Sequence, residues 1–210
     1  MKFFLSIALC LLAVVSVTDW VLAEPKVAAN NGVPVLRDSN EKVDPQFLSD
    51  RQEFMAMQEA YGSCPQDVVV SSTQMSKVPN RYAAKHMGDF DTNTAWVEGH
   101  PGHGIGESIS FTWREKNHFH TCGALVLMNG YQKSKETMTG NSRVKSMDLY
   151  VDGELKARLA LQDRLGYQRF GLMGLDLLEG QSIRLVIQEV YKGTKWKDTC
   201  ISELIVECVP

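Results

Sequence analysis

The sequence predicts an all-β fold, an antiparallel β-sandwich preceded by a short helical or irregular N-terminal arm. Three observations carry this. From residue 67 onward, apolar and polar residues alternate in run after run, the period of a half-buried strand. Two such runs are separated by Asp152-Gly153, a two-residue signal for a tight hairpin. No long helical pattern lies between the runs, which argues against parallel βαβ units. The chain has 210 residues, 44% apolar and 22% charged, enough for one packed domain.

Residues 1–23 read as a secretory signal. Lys2 gives a positive start, an apolar stretch runs to Val17, and Val21-Leu22-Ala23 offers compact residues for cleavage. Asp19 stops the run short of the ~20 apolar residues that a membrane span needs. The mature chain is therefore expected outside the cytoplasm, secreted or in the cell envelope, with no transmembrane span. Residues 24–62 form the arm. Its first half is polar and without period, and reads as a tether or a loosely packed arm. Asp44-Pro45 then suits an N-cap and a first helical residue, with Phe47, Leu48, Phe54, Met55 and Met57 on one side of a short helix ending before Gly62.

Residues 63–210 form the sandwich. Val68-Val69-Val70 marks the first strand. Ile109, Phe111 and Trp113 alternate on one face of the second. Residues 123–128 are a continuous apolar run, as a central strand buried on both faces would be. Met147, Leu149 and Val151 lead into the Asp152-Gly153 turn, and Leu155, Ala157, Leu159 and Leu161 continue beyond it. Ile183, Leu185 and Ile187 alternate again, and residues 202–208 close the domain.

A net charge of -3 offers no basic face for nucleic acid. Cleavage would remove Cys10 and leave Cys64, Cys122, Cys200 and Cys208, an even number that suggests two disulfides in an exported chain. Three pairings are open. Cys64–Cys208 would staple the ends of the domain, with about 4–5 kcal/mol from its long loop. Cys122–Cys200 would remain, with free buried thiols as its alternative. His100 and His103, and His118 and His120, are closely spaced, but in loops without rigid support they suit weak nickel binding better than a zinc site. Glu98 and Glu107 could form a glycosidase carboxylate pair, yet no nucleophile elbow, phosphate loop or dinucleotide fingerprint accompanies them. A non-enzyme is expected.

The densest chemistry lies in residues 82–107. Asp89-Phe90-Asp91-Thr92-Asn93-Thr94-Ala95-Trp96 offers hard oxygens for calcium, or a solvated acidic turn; residues 99–106 hold four glycines. This loop resembles the aspartate, threonine, alanine, tryptophan loop of discoidin-like domains, the galactose-binding-like jelly-roll sandwiches related to coagulation-factor type C domains. A glycine usually follows that aspartate, and here Phe90 stands instead. The segments 96–107, 129–134, 141–145, 149–153 and above all 190–204, with Tyr191, Lys195, Trp196, Asp198 and Cys200, are similar to one subfamily, the NADase-type glycan-binding domain. That domain is associated with the non-catalytic part of secreted NAD glycohydrolase toxins, and the resemblance spans residues 68–206.

The resemblance implies glycan binding by loops at one end of the sandwich, with a protein-partner scaffold as the alternative. It implies a structural calcium at Asp89, Asp91, Thr94 and Glu203. Trp96 is expected to be buried beneath the loop. A sugar site needs aromatic faces and planar polar groups. The candidates are Glu98, Asn129, Tyr131, Lys133, Asn141, Arg143, Tyr191, Lys195, Trp196 and Asp198, with Gln132 beside them.

Overall fold

The structure is a computed structural model that describes residues 28–30, 32–39, 62–63, 66–114, 121–175 and 177–209. The strands are β1 (Ala28–Asn30), β2 (Val33–Arg37), β3 (Gly62–Ser63), β4 (Gln66–Val70), β5 (Trp96–Val97), β6 (Ser108–Thr112), β7 (Thr121–Asn129), β8 (Arg143–Val151), β9 (Glu154–Ala160), β10 (Tyr167–Gly171), β11 (Ser182–Tyr191) and β12 (Cys200–Val209). Among the described residues a 3-10 turn (Ala84–Gly88) and one short helix, α1 (Lys135–Gly140), interrupt them. The strands form two sheets, so the all-β sandwich holds. The larger has seven strands in the order β1-β2-β9-β8-β11-β6-β4. The smaller has five, in the order β10-β7-β12-β3, with β5 added to β12.

Alternation decides which side of each strand faces the interior. Ile109, Phe111 and Trp113 on one sheet, and Leu125, Leu127, Leu204 and Val206 on the other, all enter one buried core. Each such side chain contributes about 1.5–3 kcal/mol by leaving water. The continuous run in β7 also has its explanation. Its other face, Val126 and Met128, forms a second buried cluster with the cross-strand neighbours Tyr167 and Ile205, and Phe90 packs against it. The hairpin turn has φ of 49° at Asp152 and 85° at Gly153, the paired left-handed geometry of a type I′ turn.

Two expectations need correction. The first half of the arm is not a loose tether, since β2 pairs in parallel with β9 and joins the larger sheet. Asp38, just beyond β2, is buried, ion-paired with Arg164, and accepts a hydrogen bond from the Arg169 amide at 3.1 Å. The expected helix after Asp44 lies outside the described residues. The second correction concerns the cysteines. Cys200 is a buried free thiol, not a partner of Cys122. The register sets Cys122 opposite Cys208, while Cys200 opens the far end of β12. At about 3.3 Å per residue the two ends are roughly 25 Å apart, and a disulfide needs Cα atoms within about 7 Å. Cys64, and with it the Cys64–Cys208 bridge, lies outside the described residues.

Candidate functional site: a cleft at the loop end of the sandwich

The loops before β5, after β7 and before β12 surround a cleft of about 460 Å³. That volume falls in the range of small-ligand sites. One wall is Gln74, Met75 and Ser76 with Arg81 and Tyr82; the other is Lys133, Thr137, Asn141, Trp196 and Asp198, with Val97 and Tyr131 between them.

The second wall is stitched together by its own backbone. Ser134 caps α1 through a capping box with Thr137: Thr137 N–H donates to Ser134 Oγ at 3.2 Å, and Ser134 N–H to Thr137 Oγ1 at 2.9 Å. The Trp196 and Lys195 amides both donate to the Gly140 carbonyl, at 2.8 and 3.0 Å. The Trp196 ring lies so close to Gly140 that a Cβ there would sit 2.7 Å from it. A Cβ on Gly193 would meet the Trp196 carbonyl at 2.3 Å. Gly140 thus lets the ring approach closely, and Gly193 admits the Trp196 backbone, while Trp196 remains 48% exposed. Tyr131 is fixed differently, its hydroxyl donating to the Asn93 carbonyl at 2.8 Å. Burial raises the pKa of that phenol. Asn141 spends its amide nitrogen on the Thr137 carbonyl at 2.8 Å.

The first wall rests on β5. The Gln74 amide donates to the Val97 carbonyl at 2.9 Å, and Trp96 Nε1 donates to the Ser72 carbonyl at 3.0 Å. Trp96 is fully buried beneath it. The Arg81 guanidinium lies 5.6 Å from the centre of the Tyr82 ring, within cation–π range. Cys200 is buried with Ala95 and Val97 against Tyr82 and Tyr131. Burial pushes its thiol pKa up, so it is a poor nucleophile.

Of the ten residues expected to bind ligand, the cleft gathers Tyr131, Lys133, Asn141, Trp196 and Asp198. Lys195 flanks it, its Nζ 5.8 Å from the Trp196 ring centre. Four others have structural positions instead. Glu98 is buried and accepts the His100 amide at 2.7 Å and the Thr199 amide at 3.1 Å. Asn129 clamps the two sheets, its Oδ1 accepting the Val144 amide at 2.9 Å and its Nδ2 donating to the Val144 carbonyl at 2.7 Å. Arg143 forms a two-point pair with Asp163 and donates to the Asn141 and Lys192 carbonyls, bracing the Trp196 wall from behind. Tyr191 donates its hydroxyl to the Leu161 carbonyl at 3.0 Å. Gln132, too, is used internally, bonding the Asn129 carbonyl and the Gly166 amide. Sequence reasoning missed the first wall, Gln74 to Ser76 with Arg81 and Tyr82. The segment has no period, and only the adjacent arginine and tyrosine hint at a role.

The NAD glycohydrolase translocation F5/8 type C domain family matches residues 60–207, most of the chain. The chain belongs to that family. No curated protein matches it. Among solved structures, it is similar to the family 32 carbohydrate-binding module of Streptococcus pneumoniae EndoD. Identity there is 16% over 70% of this chain and 99% of that one, with a TM-score of 0.49. It is similar to part of the mycobacterial arabinofuranosyltransferase AftD, at 15% identity over 70% of this chain, with a TM-score of 0.46. This chain spans only 11% of AftD. A Ruminococcus gnavus GH29 fucosidase solved with fucose is 15% identical over 75% of this chain and 29% of its own, with a TM-score of 0.44. At these scores the likenesses add nothing to the family assignment.

In this F5/8 type C domain the Asp89 loop is closed on itself. Asp89 Oδ1 accepts the Asp91 amide at 3.0 Å, and Oδ2 accepts the Thr94 hydroxyl at 2.8 Å. Asp91 Oδ1 accepts both nitrogens of Asn93. His86 sits between Asp89 Oδ2 at 2.7 Å and the Asn80 carbonyl at 2.8 Å. Phe90 has φ of 55°, the left-handed region that glycine enters without cost. Its packing on the outer face of the smaller sheet offsets the strain.

Glu203 is the exception in this neighbourhood. It is fully buried, and neither carboxylate oxygen has a hydrogen-bond partner of proper geometry. Burial first, then the nearby Asp89 charge, raises its pKa to about 8, and the Phe90 and Asp91 amides only soften the shift. An orphaned carboxylate fits a cation. The side chains of Asp89, Asp91 and Thr94 are already engaged within the loop, and among the described residues no three His, Cys, Asp or Glu side chains converge as a metal site. The implied calcium therefore fits Glu203 and not the other three side chains as they stand. His100 and His103 form no such group either, and His118 and His120 lie outside the described residues. Among the described residues no helix is long and apolar enough to cross a membrane.

Proposed function

We propose that the chain is an exported, non-catalytic carbohydrate-binding module that holds a glycan in the loop-end cleft. The observation that carries this is Trp196, half exposed yet packed closely on Gly140 in the wall of a cleft of about 460 Å³. A pyranose presents an apolar C–H face, and a fixed indole gains from stacking on it without first losing rotamer freedom. Asn141, Gln74 and Asp198 then offer polar groups to the sugar hydroxyls. Of the carboxylate pair considered for glycosidase chemistry, Glu98 serves backbone amides and Glu107 accepts the Ser71 and Ser72 hydroxyls. A calcium ion at Glu203 belongs to the same proposal, as a support for the loop rather than a ligand contact. Export rests on the signal-like residues 1–23.

The test is a broad glycan array with the mature protein and with Trp196→Ala. Selective binding that falls by about tenfold or more in the variant, with the melting temperature preserved, is the expected outcome. A blank array from protein shown to be folded overturns the reading. One observation favours a protein partner instead: Met75, in the wall across from Trp196, is 91% exposed, and an exposed methionine facing a tryptophan across a cleft suits a protein surface. Recovery of one stoichiometric partner, lost in Met75→Glu, would establish that alternative.

A further inference from the structure

We infer that the sugar in the cleft carries a carboxylate, as a hexuronate or a sialate does; this rests on the glycan reading above. Arg81 lines one wall and Lys133 the other. Neither has an ion-pair partner among the described residues. Five other arginines, Arg114, Arg143, Arg158, Arg164 and Arg169, are each met by a carboxylate.

Arg81 is also held in place. Its guanidinium lies over Tyr82, which fixes the fork beside the cleft. A planar guanidinium matches a carboxylate through two parallel hydrogen bonds, a match that a sugar hydroxyl cannot make. Among the described residues Asp198 is the one carboxylate lining the cleft. The whole chain carries a net charge of -3, so a lining with two cations against one carboxylate runs opposite to the molecule as a whole.

A carboxylated pyranose uses all of these features. Its C–H face lies on Trp196, and its carboxylate reaches Arg81 and Lys133. A neutral sugar would leave two cations facing hydroxyls alone.

Calorimetric titration of the mature full chain tests this with galacturonate oligosaccharides, sialyllactose, and their neutral counterparts, galactose oligosaccharides and lactose. The expected result is about tenfold or greater preference for one acidic sugar. Raising the salt from about 0.05 to about 0.5 M narrows that preference. In Arg81→Gln or Lys133→Gln the ratio of acidic to neutral affinity falls toward one. The uronate and sialate arms identify the source of the carboxylate. Equal binding of acidic and neutral sugars overturns the inference and leaves the glycan reading standing. Sulfated galactose binding as well as galacturonate overturns the carboxylate assignment in favour of charge alone. Loss of all sugar binding, by protein that remains folded, removes both.

Discussion

Two buried carboxylates stand at the loop end of this domain, and they are opposites. Glu98 and Glu203 are both shielded from water. Glu98 receives two backbone amides, from His100 and Thr199, and so ties the glycine-rich loop to the start of β12. Glu203 receives none of proper geometry and faces the Asp89 loop. Burial raises both pKa values, but only Glu203 is pushed up to about 8. Burial by itself, then, does not tell a structural acid from a responsive one. The donors that meet it do.

The largest way to break this comparison is Glu98→Ala. It leaves two buried amides without acceptors and opens space beside Gly104, so about 3–5 kcal/mol of stability should be lost in urea unfolding. A loss below about 1 kcal/mol would mean that water replaces the carboxylate, and Glu98 would no longer count as a latch.

The next effect is on pH. The folded pKa of Glu203 is raised to about 8 from an ordinary 4.5. The folded state therefore holds a proton that the unfolded chain gives up. Glu203 contributes its full stability below about 4.5 and loses it progressively as pH rises through about 8. Unfolding free energy measured across that window should fall in the wild type and be flatter in Glu203→Gln. Parallel profiles would place the proton elsewhere.

The smallest effect decides what neutralises Glu203. Added calcium at about one hundred times its dissociation constant would stabilise the fold by about 2–3 kcal/mol if the ion binds only the native state, and weaker sites give less. The expected outcome is a rise in melting temperature at neutral pH, absent in Glu203→Gln. No rise in either protein would leave the proton as the sole partner of this carboxylate.

Much of the scaffold was legible in the sequence because strand period is a local property. Ile109, Phe111 and Trp113 alternate whatever surrounds them, and Asp152-Gly153 specifies its turn alone. β10 was not legible, since Gln168 interrupts its pattern and is buried through bonds to Gln162. The site was half legible. Tyr131, Lys133 and Trp196 follow or precede strong strands, which placed them in loops. Glu98, Asn129 and Arg143 have the same polar chemistry as ligand residues, and only the positions of backbone amides and carbonyls show that they are engaged internally. Phe90 illustrates the reverse case. Its departure from glycine looks like a defect in sequence, yet an apolar patch on the smaller sheet receives it. The cleft exists because the stretch from Gln74 to Tyr82 meets loops distant from it in sequence, and no single stretch of chain encodes that meeting.

The arm strand β2 has a practical corollary. A fragment trimmed to begin at residue 60, where the family match starts, would lack β1 and β2. The rim of β9 would then present unpaired amides and carbonyls, and Arg164 would lose Asp38. Such a rim is a template for another chain. The trimmed protein would be expected to self-associate along β9, and glycan measurements on it would confuse multivalent display with affinity. What resembles an appendage in the primary structure is the selvedge that keeps the fabric from unravelling into its neighbours.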